Sequence, residues 1–256
     1  MRNDLPKNDF KAALRDGQVQ IGFWLNLMSP SATEIAAGAG FDWLLIDMEH
    51  TANEPPDVVH HMRAAVGGTA EPAVRVPTNE PVLVKRLLDL GARTLLFPLV
   101  QSADEARAAV RATRYPPHGI RGMGGTSRAT RYGRVPDYAV RAADELCVLV
   151  QVETRAGLAE IDAIAGVEGV DGVFIGPGDL SFDWGYPGQH RRPEIWKAIL
   201  HAGERIRAAG KAAGFMSLDE PENRELIAAG FTFLAVGIDS VLLARKTDEI
   251  AKLYKS

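Results

Sequence analysis

Cysteine is almost missing from this chain of 256 residues. The single one, Cys147, lies inside an apolar run, which excludes a disulfide framework and a thiolate metal site. That usage is consistent with a reducing cytoplasm. Long hydrophobic runs are missing as well: nowhere do about 18 apolar residues follow one another, so no membrane span is expected. The stretch from Met1 to Gln20 is polar, helix-like around Asp9 to Leu14, and has no apolar segment of the signal-peptide kind. Positive charge is not in excess. With 29 Lys and Arg against 33 Asp and Glu, the net charge of −4 gives no general attraction to nucleic acid or to an anionic membrane. A small metabolite is the expected partner. There is no Gly-x-x-x-x-Gly-Lys sequence, and no Gly-x-Gly-x-x-Gly follows the first strand-like run, so the usual nucleotide fingerprints are absent too.

What is present is an alternation of short, β-branched apolar runs with helical segments, and no linker interrupts it. The expected strands are Gln20 to Leu25, Phe41 to Asp47, Pro72 to Val76, Ala92 to Phe97, Cys147 to Val150, Gly172 to Ile175, Ala212 to Met216 and Phe231 to Val236. Continuous apolar runs of this length read as parallel strands buried on both faces. Between them, Ser31-x-x-Glu34 and Ser102-x-x-Glu105 read as helix-opening boxes, and Asn79-Glu-Pro81 opens a helix with Leu83, Leu87 and Leu90 on one face. Further helices are expected over Pro55 to Val66, Arg155 to Ala165, Glu194 to Ala209, Glu220 to Ala229 and Asp239 to Tyr254. Eight such units in one domain spanning 1–256 predict a (β/α)8 barrel, with a doubly wound open sheet as the alternative.

In a barrel, residues just past the strand ends share one mouth. Trp24, Asp47, Glu49, His50, Arg75, Gln151, Glu153, Asp179 and Asp239 fall there. Glu153 and Asp179 each follow a strand, and Gly176 and Gly178 let backbone approach a ligand. Two carboxylates in that setting suit a hard divalent cation such as Mg²⁺ or Mn²⁺ better than zinc. Helix capping by both residues fits the spacing equally well. Of the histidines only His50 directly follows a strand, which makes it the candidate general base, with a surface loop histidine as the plain alternative. Arg75 is a cation at the end of an apolar strand, a costly position without a bound anion or an acidic neighbour. Lys7, Lys11, Lys85, Lys197, Lys211, Lys246, Lys252 and Lys255 all lie away from the mouth ends of strands, which argues against a Schiff base. The segment Tyr115 to Tyr138, rich in Gly and Arg, is too long for an ordinary connection. It is expected to fold over the mouth, where Arg121 or Arg128 would meet an acidic end of the substrate; a solvated or subunit-contacting loop is the alternative for most of its arginines.

Phe41-Asp-Trp-Leu-Leu-Ile-Asp-Met-Glu-His50, Arg75-Val-Pro, Gln151-Val-Glu153-Thr and Gly176-Pro-Gly-Asp179-Leu-Ser181, in this order, resemble the HpcH/HpaI family of metal-dependent pyruvate aldolases. The resemblance runs from about Phe10 to Tyr254. It implies a barrel of the phosphoenolpyruvate/pyruvate superfamily that cleaves or forms 4-hydroxy-2-oxo acids, giving pyruvate and an aldehyde. It implies further that Glu153 and Asp179 hold Mg²⁺, Mn²⁺ or Co²⁺, that Arg75 stabilises transition-state charge, and that His50, paired with Asp89, is the base. Trp24, Gln151, Gly178 and Asp179 match substrate-contacting positions. A homo-hexamer is implied, its C-terminal helix lent to a neighbour; Val241, Leu242, Leu243, Ile250 and Leu253 make that helix apolar enough. Two other readings share the site: a CoA-thioester lyase of the malyl or citryl type, for which no CoA-binding feature is visible, and a non-catalytic keto-acid-binding barrel.

Overall fold

The computed structural model describes residues 4–255, so positions 1–3 of the expected polar N-terminal stretch, and position 256, lie outside the described residues. Eight strands, β1 (Gln20–Leu25), β2 (Trp43–Asp47), β3 (Glu71–Arg75), β4 (Thr94–Phe97), β5 (Cys147–Val152), β6 (Gly172–Ile175), β7 (Ala212–Met216) and β8 (Phe233–Ile238), pair in parallel in chain order. Because β1 also pairs with β8, the sheet closes into a barrel and the open-sheet alternative is excluded.

Side-chain alternation along each strand then decides what each residue faces. Phe23, Leu44, Ile46, Val74, Phe97, Val150, Ile175 and Phe215 point outward and bury against the helices. Trp24, Trp43, Leu45, Ala73, Leu149, Phe174 and Phe233 point inward and fill the barrel. The helix Asp9–Arg15 closes the end where the strands begin: Phe10 sits 5.7 Å from the Trp43 ring and 6.3 Å from Phe233. An interior filled with so many rings needs gaps elsewhere. A Cβ on Gly22 would lie 2.1 Å from the Trp43 indole, and one on Gly214 would lie 2.3 Å from the Phe233 ring. At the other end the last inward position is polar or charged on three strands: Asp47 on β2, Arg75 on β3 and Gln151 on β5.

Several expected boundaries shift. β5 runs on to Val152 because that residue still pairs with Ile175, and β2 and β8 each start two residues later than the apolar runs suggested. Helix Pro30–Ala37 is capped by Ser29, whose side chain accepts the Ala32 N–H, and not by the Ser31/Glu34 box; Pro30 holds the first turn. The expected helix Arg155 to Ala165 is two short helices joined at Glu160. In helix Pro81–Asp89 the buried face is Val84, Leu87 and Leu88, while Leu83 and Leu90 are partly covered. Helices at Tyr138–Glu145 and Pro177–Asp183 carried no clear sequence signal. Among the described residues no helix is long and apolar enough to cross a membrane.

The largest correction concerns the segment Tyr115 to Tyr138. It follows helix Ala103–Thr113, which runs back against the strands, so within one chain the loop emerges at the strand-start end and does not cover the mouth. There the Ala129 N–H donates to the Asp89 carbonyl at 3.0 Å and Arg128 donates to the Leu90 carbonyl at 2.9 Å. Arg121 is fully buried. Its guanidinium lies 4.6 Å from the Tyr115 ring and 5.6 Å from the Tyr138 ring and donates to Asp89 at 2.9 Å. Neither arginine reaches the mouth of its own barrel.

The tight inner packing gives a direct test of the fold. Gly22→Ala forces the Trp43 indole to move in a full barrel, so it is expected to lower stability by about 1–3 kcal/mol. Urea denaturation of the two proteins measures this. An unchanged midpoint would show that Trp43 has room to retreat.

Candidate active site

The mouth is built on one register pair. Asp47, last in β2, sits beside Arg75, last in β3. Arg75 Nε and Nη2 donate to Asp47 Oδ1 and Oδ2 at 2.9 and 2.6 Å, a fork that fixes the guanidinium plane. From β1, Trp24 Nε1 donates to Asp47 Oδ2 at 3.3 Å, and its ring lies 4.8 Å from Arg75 Cζ. Trp24 is thus a buried platform beneath the cation.

The chain then turns around Asp47. The Glu49 N–H donates to Asp47 Oδ1 at 3.0 Å, the Thr51 hydroxyl donates to the Asp47 carbonyl, and Asn53 Nδ2 donates to the same carbonyl at 2.8 Å. This turn carries two ionisable side chains toward Arg75 and solvent. Glu49 Oε2 lies 2.9 Å from Arg75 Nη1 and 3.7 Å from His50 Nε2, and the His50 ring itself is open to solvent.

The opposite wall holds the carboxylate pair. Glu153, just past β5, is 2 % exposed. Its Oε2 accepts from Gln151 Nε2 at 2.5 Å and its Oε1 from the Leu99 N–H at 2.8 Å. Leu99 takes φ of +53° to aim that N–H, a left-handed conformation uncommon for a residue with a Cβ. Gly176 is the cradle: a Cβ there would lie 2.6 Å from Glu153 Oε2 and 3.1 Å from Gln151 Nε2. Gln151 Oε1 is buried without a protein partner. Asp179, in the first turn of helix Pro177–Asp183, is exposed next to it, and so is Gly178.

The carboxyls at this mouth differ in proton affinity because their neighbours differ. Burial alone would raise Asp47, but the bonds and charge of Arg75 outweigh it and bring the group below the usual carboxylate range. Glu49 moves upward: burial dominates over the pull of Arg75, and Asp47 and Asp179 add repulsion. Glu153 is pushed up to about 7, first by burial, with the Gln151 and Leu99 donors opposing and the Glu49 and Asp179 charges reinforcing. A desolvated carboxylate with two like charges nearby holds a proton, or a cation, more readily than one in water.

Of the expected site residues, the structure gathers Trp24, His50, Arg75, Gln151, Glu153, Gly178 and Asp179 at one mouth. Asp89 is not among them. It ends helix Pro81–Asp89 at the strand-start end and pairs there with Arg121. Asp239, also expected at the rim, accepts the Asn26 and Leu27 N–H groups and so shapes the loop after β1. Asp47, Glu49 and Leu99 had no role assigned from their place in the sequence. A groove of about 750 Å³ at the strand-start end, bordered by Glu71, Arg93, Arg128, Tyr132 and Glu145, holds none of this chemistry. Its Arg93 and Glu71 pair at 2.5 Å and its Glu145 binds Lys7 at 2.6 Å.

Residues 20–245 match the family model described as HpcH/HpaI aldolase/citrate lyase. The chain belongs to that family. It is 52 % identical over 249 residues to the 4-hydroxy-2-oxo-heptane-1,7-dioate aldolase of Shigella sonnei, covering 97 % of this chain and 95 % of that protein. Among solved structures, an HpcH/HpaI aldolase/citrate lyase family protein from Burkholderia cenocepacia superposes with a TM-score of 0.94 at 41 % identity, covering 98 % of this chain and 100 % of the other. An HpcH/HpaI aldolase from Desulfitobacterium hafniense gives 0.87 at 30 % identity, covering 96 % of each. These relatives support the aldolase reading of the sequence over the CoA-thioester lyase and the non-catalytic barrel.

The raised Glu153 carboxyl has a consequence for stability. Between the ordinary value of 4.5 and about 7 the folded, metal-free protein keeps this proton while the unfolded chain releases it. The folded state binds more protons there, so stability is expected to fall as pH rises through that window. Glu153→Gln should flatten this fall. Thermal melts with chelator from pH 4 to 8 measure the difference between the two proteins; parallel curves would contradict the assignment.

Proposed function

We propose that the protein is a divalent-metal-dependent aldolase that cleaves and forms 4-hydroxy-2-oxo acids. The observation that carries the reading is the meeting, at one barrel mouth, of a buried Glu153 cradled by Gly176 with Asp179 near it, a rigidly held guanidinium and a solvent-facing imidazole. The substrate named for its relatives, 4-hydroxy-2-oxo-heptane-1,7-dioate, is the first candidate. Breaking its C3–C4 bond yields pyruvate and 4-oxobutanoate.

The donor set fits a hard cation. Glu153 and Asp179 supply oxygen only, and Gln151 Oε1 is a further unpartnered oxygen in the same wall. When bound, Mg²⁺, Mn²⁺ or Co²⁺ supplies Lewis-acid stabilisation for the negative charge that develops on the keto oxygen. His50 takes the proton from the 4-hydroxyl. As the C3–C4 bond breaks, its electron pair passes to C3 and the keto group, and a proton returned to C3 completes pyruvate. Arg75, held by Asp47 and Glu49, presents a fixed cation to the developing charge, so little reorganisation is needed during the reaction. Trp24 acts through Arg75 as its platform, and Gly178 leaves the backbone beside Asp179 open to the pyruvate carboxylate.

Asp89 joins His50 only if it comes from a second chain, which ties this role to an oligomer. We assign a homo-hexamer, with the helix Asp239–Lys255 lent to a neighbour. Supporting this, Leu242, Leu243, Ile250 and Leu253 of that helix are exposed, and Asp239 is its one buried residue. The buried single thiol suits a reducing cytoplasm.

Two experiments test the reading. After dialysis against chelator and add-back of Mg²⁺, Mn²⁺ or Co²⁺, wild-type cleavage should return, while Glu153→Ala and Asp179→Ala should fail to retain metal and stay inactive. Full activity of the chelated wild type would overturn the metal assignment. His50→Ala should lower cleavage by about 10²–10⁴-fold, as loss of a positioned base does, with metal content unchanged. Cleavage at the wild-type rate would move the base elsewhere.

A further inference from the structure

A second histidine lies behind the mouth. His61, on the buried face of helix Pro55–Ala64 with Val58 and Met62, is 1 % exposed. Its Nδ1 lies 2.6 Å from the hydroxyl of Thr33, on helix Pro30–Ala37, and its Nε2 lies 3.1 Å from Asn53 Oδ1. Thr33 and Asn53 are buried as well.

The network fixes where each proton sits. Asn53 Nδ2 faces the Asp47 carbonyl at 2.8 Å and the Thr51 hydroxyl at 3.0 Å, so the amide nitrogen must be on that side and Oδ1 must face His61. His61 therefore carries its proton on Nε2 and donates to Asn53. Nδ1 is bare and accepts the Thr33 hydroxyl, whose alternative acceptor, the Ser29 carbonyl, is farther away at 3.4 Å. Burial favours this neutral form. The result is a directed chain from the helix layer, through Thr33, His61 and Asn53, to the carbonyl of Asp47.

What the chain holds is the turn with Glu49 and His50. His50 projects into solvent, and the contact that steadies its ring in the chain is the 3.7 Å approach to Glu49. Its position depends on the backbone of the turn, and Asn53 is the residue that ties the far end of that turn to Asp47. Without a donor at His61 Nε2, Asn53 Oδ1 is left buried and unpaired, and the amide has reason to rotate away from the carbonyl. We propose that His61 is a positioning residue for the aldol reaction, acting through Asn53 on the turn that carries Glu49 and His50. This rests on the reading of His50 as base. His61 touches no reacting atom.

The test compares His61→Leu, which removes both bonds, with His61→Gln, whose amide offers an acceptor toward Thr33 and a donor toward Asn53. In the metal-loaded enzyme His61→Leu should lower kcat for cleavage roughly 10- to 100-fold, the scale for a slightly misplaced catalytic group, with KM within about threefold. His61→Gln should recover most of the loss. Amide hydrogen exchange over residues 48–54 should quicken in His61→Leu and not in His61→Gln. On a His50→Ala background, His61→Leu should add no further loss, because both changes act on one group. Exchange is read without turnover, so unaltered protection of residues 48–54 overturns the proposal whether or not His50 proves to be the base. A kcat within threefold of wild type, equal losses in the Leu and Gln variants, or an undiminished His61→Leu effect on the His50→Ala background also overturns it. Should His61→Leu not fold, Thr33→Val removes only the hydroxyl at Nδ1, and the same direction of change is expected at smaller size.

Discussion

The mouth of this barrel depends on one buried ion pair, Asp47 with Arg75. Taking two charges out of water costs several kcal/mol for each ion, and apolar residues of the same size would often hold a core as well or better. The pair is therefore poorly explained as a source of stability. Its value lies in geometry: Asp47 accepts from Arg75, Trp24 and the Glu49 backbone through its carboxylate, while its carbonyl receives Thr51 and Asn53. One residue orients both the cation and the segment bearing the imidazole. It can do so because β2 and β3 pair in register and both residues occupy inward positions at the strand ends. Shift either strand by one residue and its member of the pair would face the helices.

Three carboxyls in the same mouth show how neighbours divide one chemical group into different roles. Asp47 is forked by a guanidinium and stays ionised, whereas Glu49 and Glu153, buried with weaker compensation, hold protons more readily. The division does not follow the walls: Glu153 stands across the mouth from Arg75, while Glu49 lies beside Arg75 and is still raised, its own burial outweighing that charge. Arg75 itself is engaged by carboxylates on two sides, Asp47 through Nε and Nη2 and Glu49 through Nη1.

Much of this was legible in the residues. Glu153 and Asp179 could be found because each follows an unmistakable apolar strand, and Arg75 because a charge ending such a strand needs a partner. Asp47 was visible in place but not in role, since its partners lie 23 and 28 positions away and only barrel closure brings them together. The Tyr115 to Tyr138 loop was misplaced for a different reason: length and composition mark a loop as special but do not say at which end of a barrel it emerges. Helix Ala103–Thr113, which precedes it, decides that. Leu99 was beyond reach, because nothing about a leucine announces a left-handed backbone. His61 read as an ordinary mid-helix residue, for its partners Thr33 and Asn53 converge on it only in three dimensions.

The costs at this mouth share one direction. Leu99 is held in a conformation that a Cβ disfavours, Gly176 gives up any side chain to make room for Glu153, and Glu153 itself is desolvated against like charge. Of these, the desolvation of Glu153 is the one that a cation lying against its carboxylate would offset. Binding that favours the folded state over the unfolded one returns stability in proportion to occupancy. Across the mouth the fork of Asp47 and Arg75 has no such unmet need, because the two charges answer each other at 2.6 and 2.9 Å.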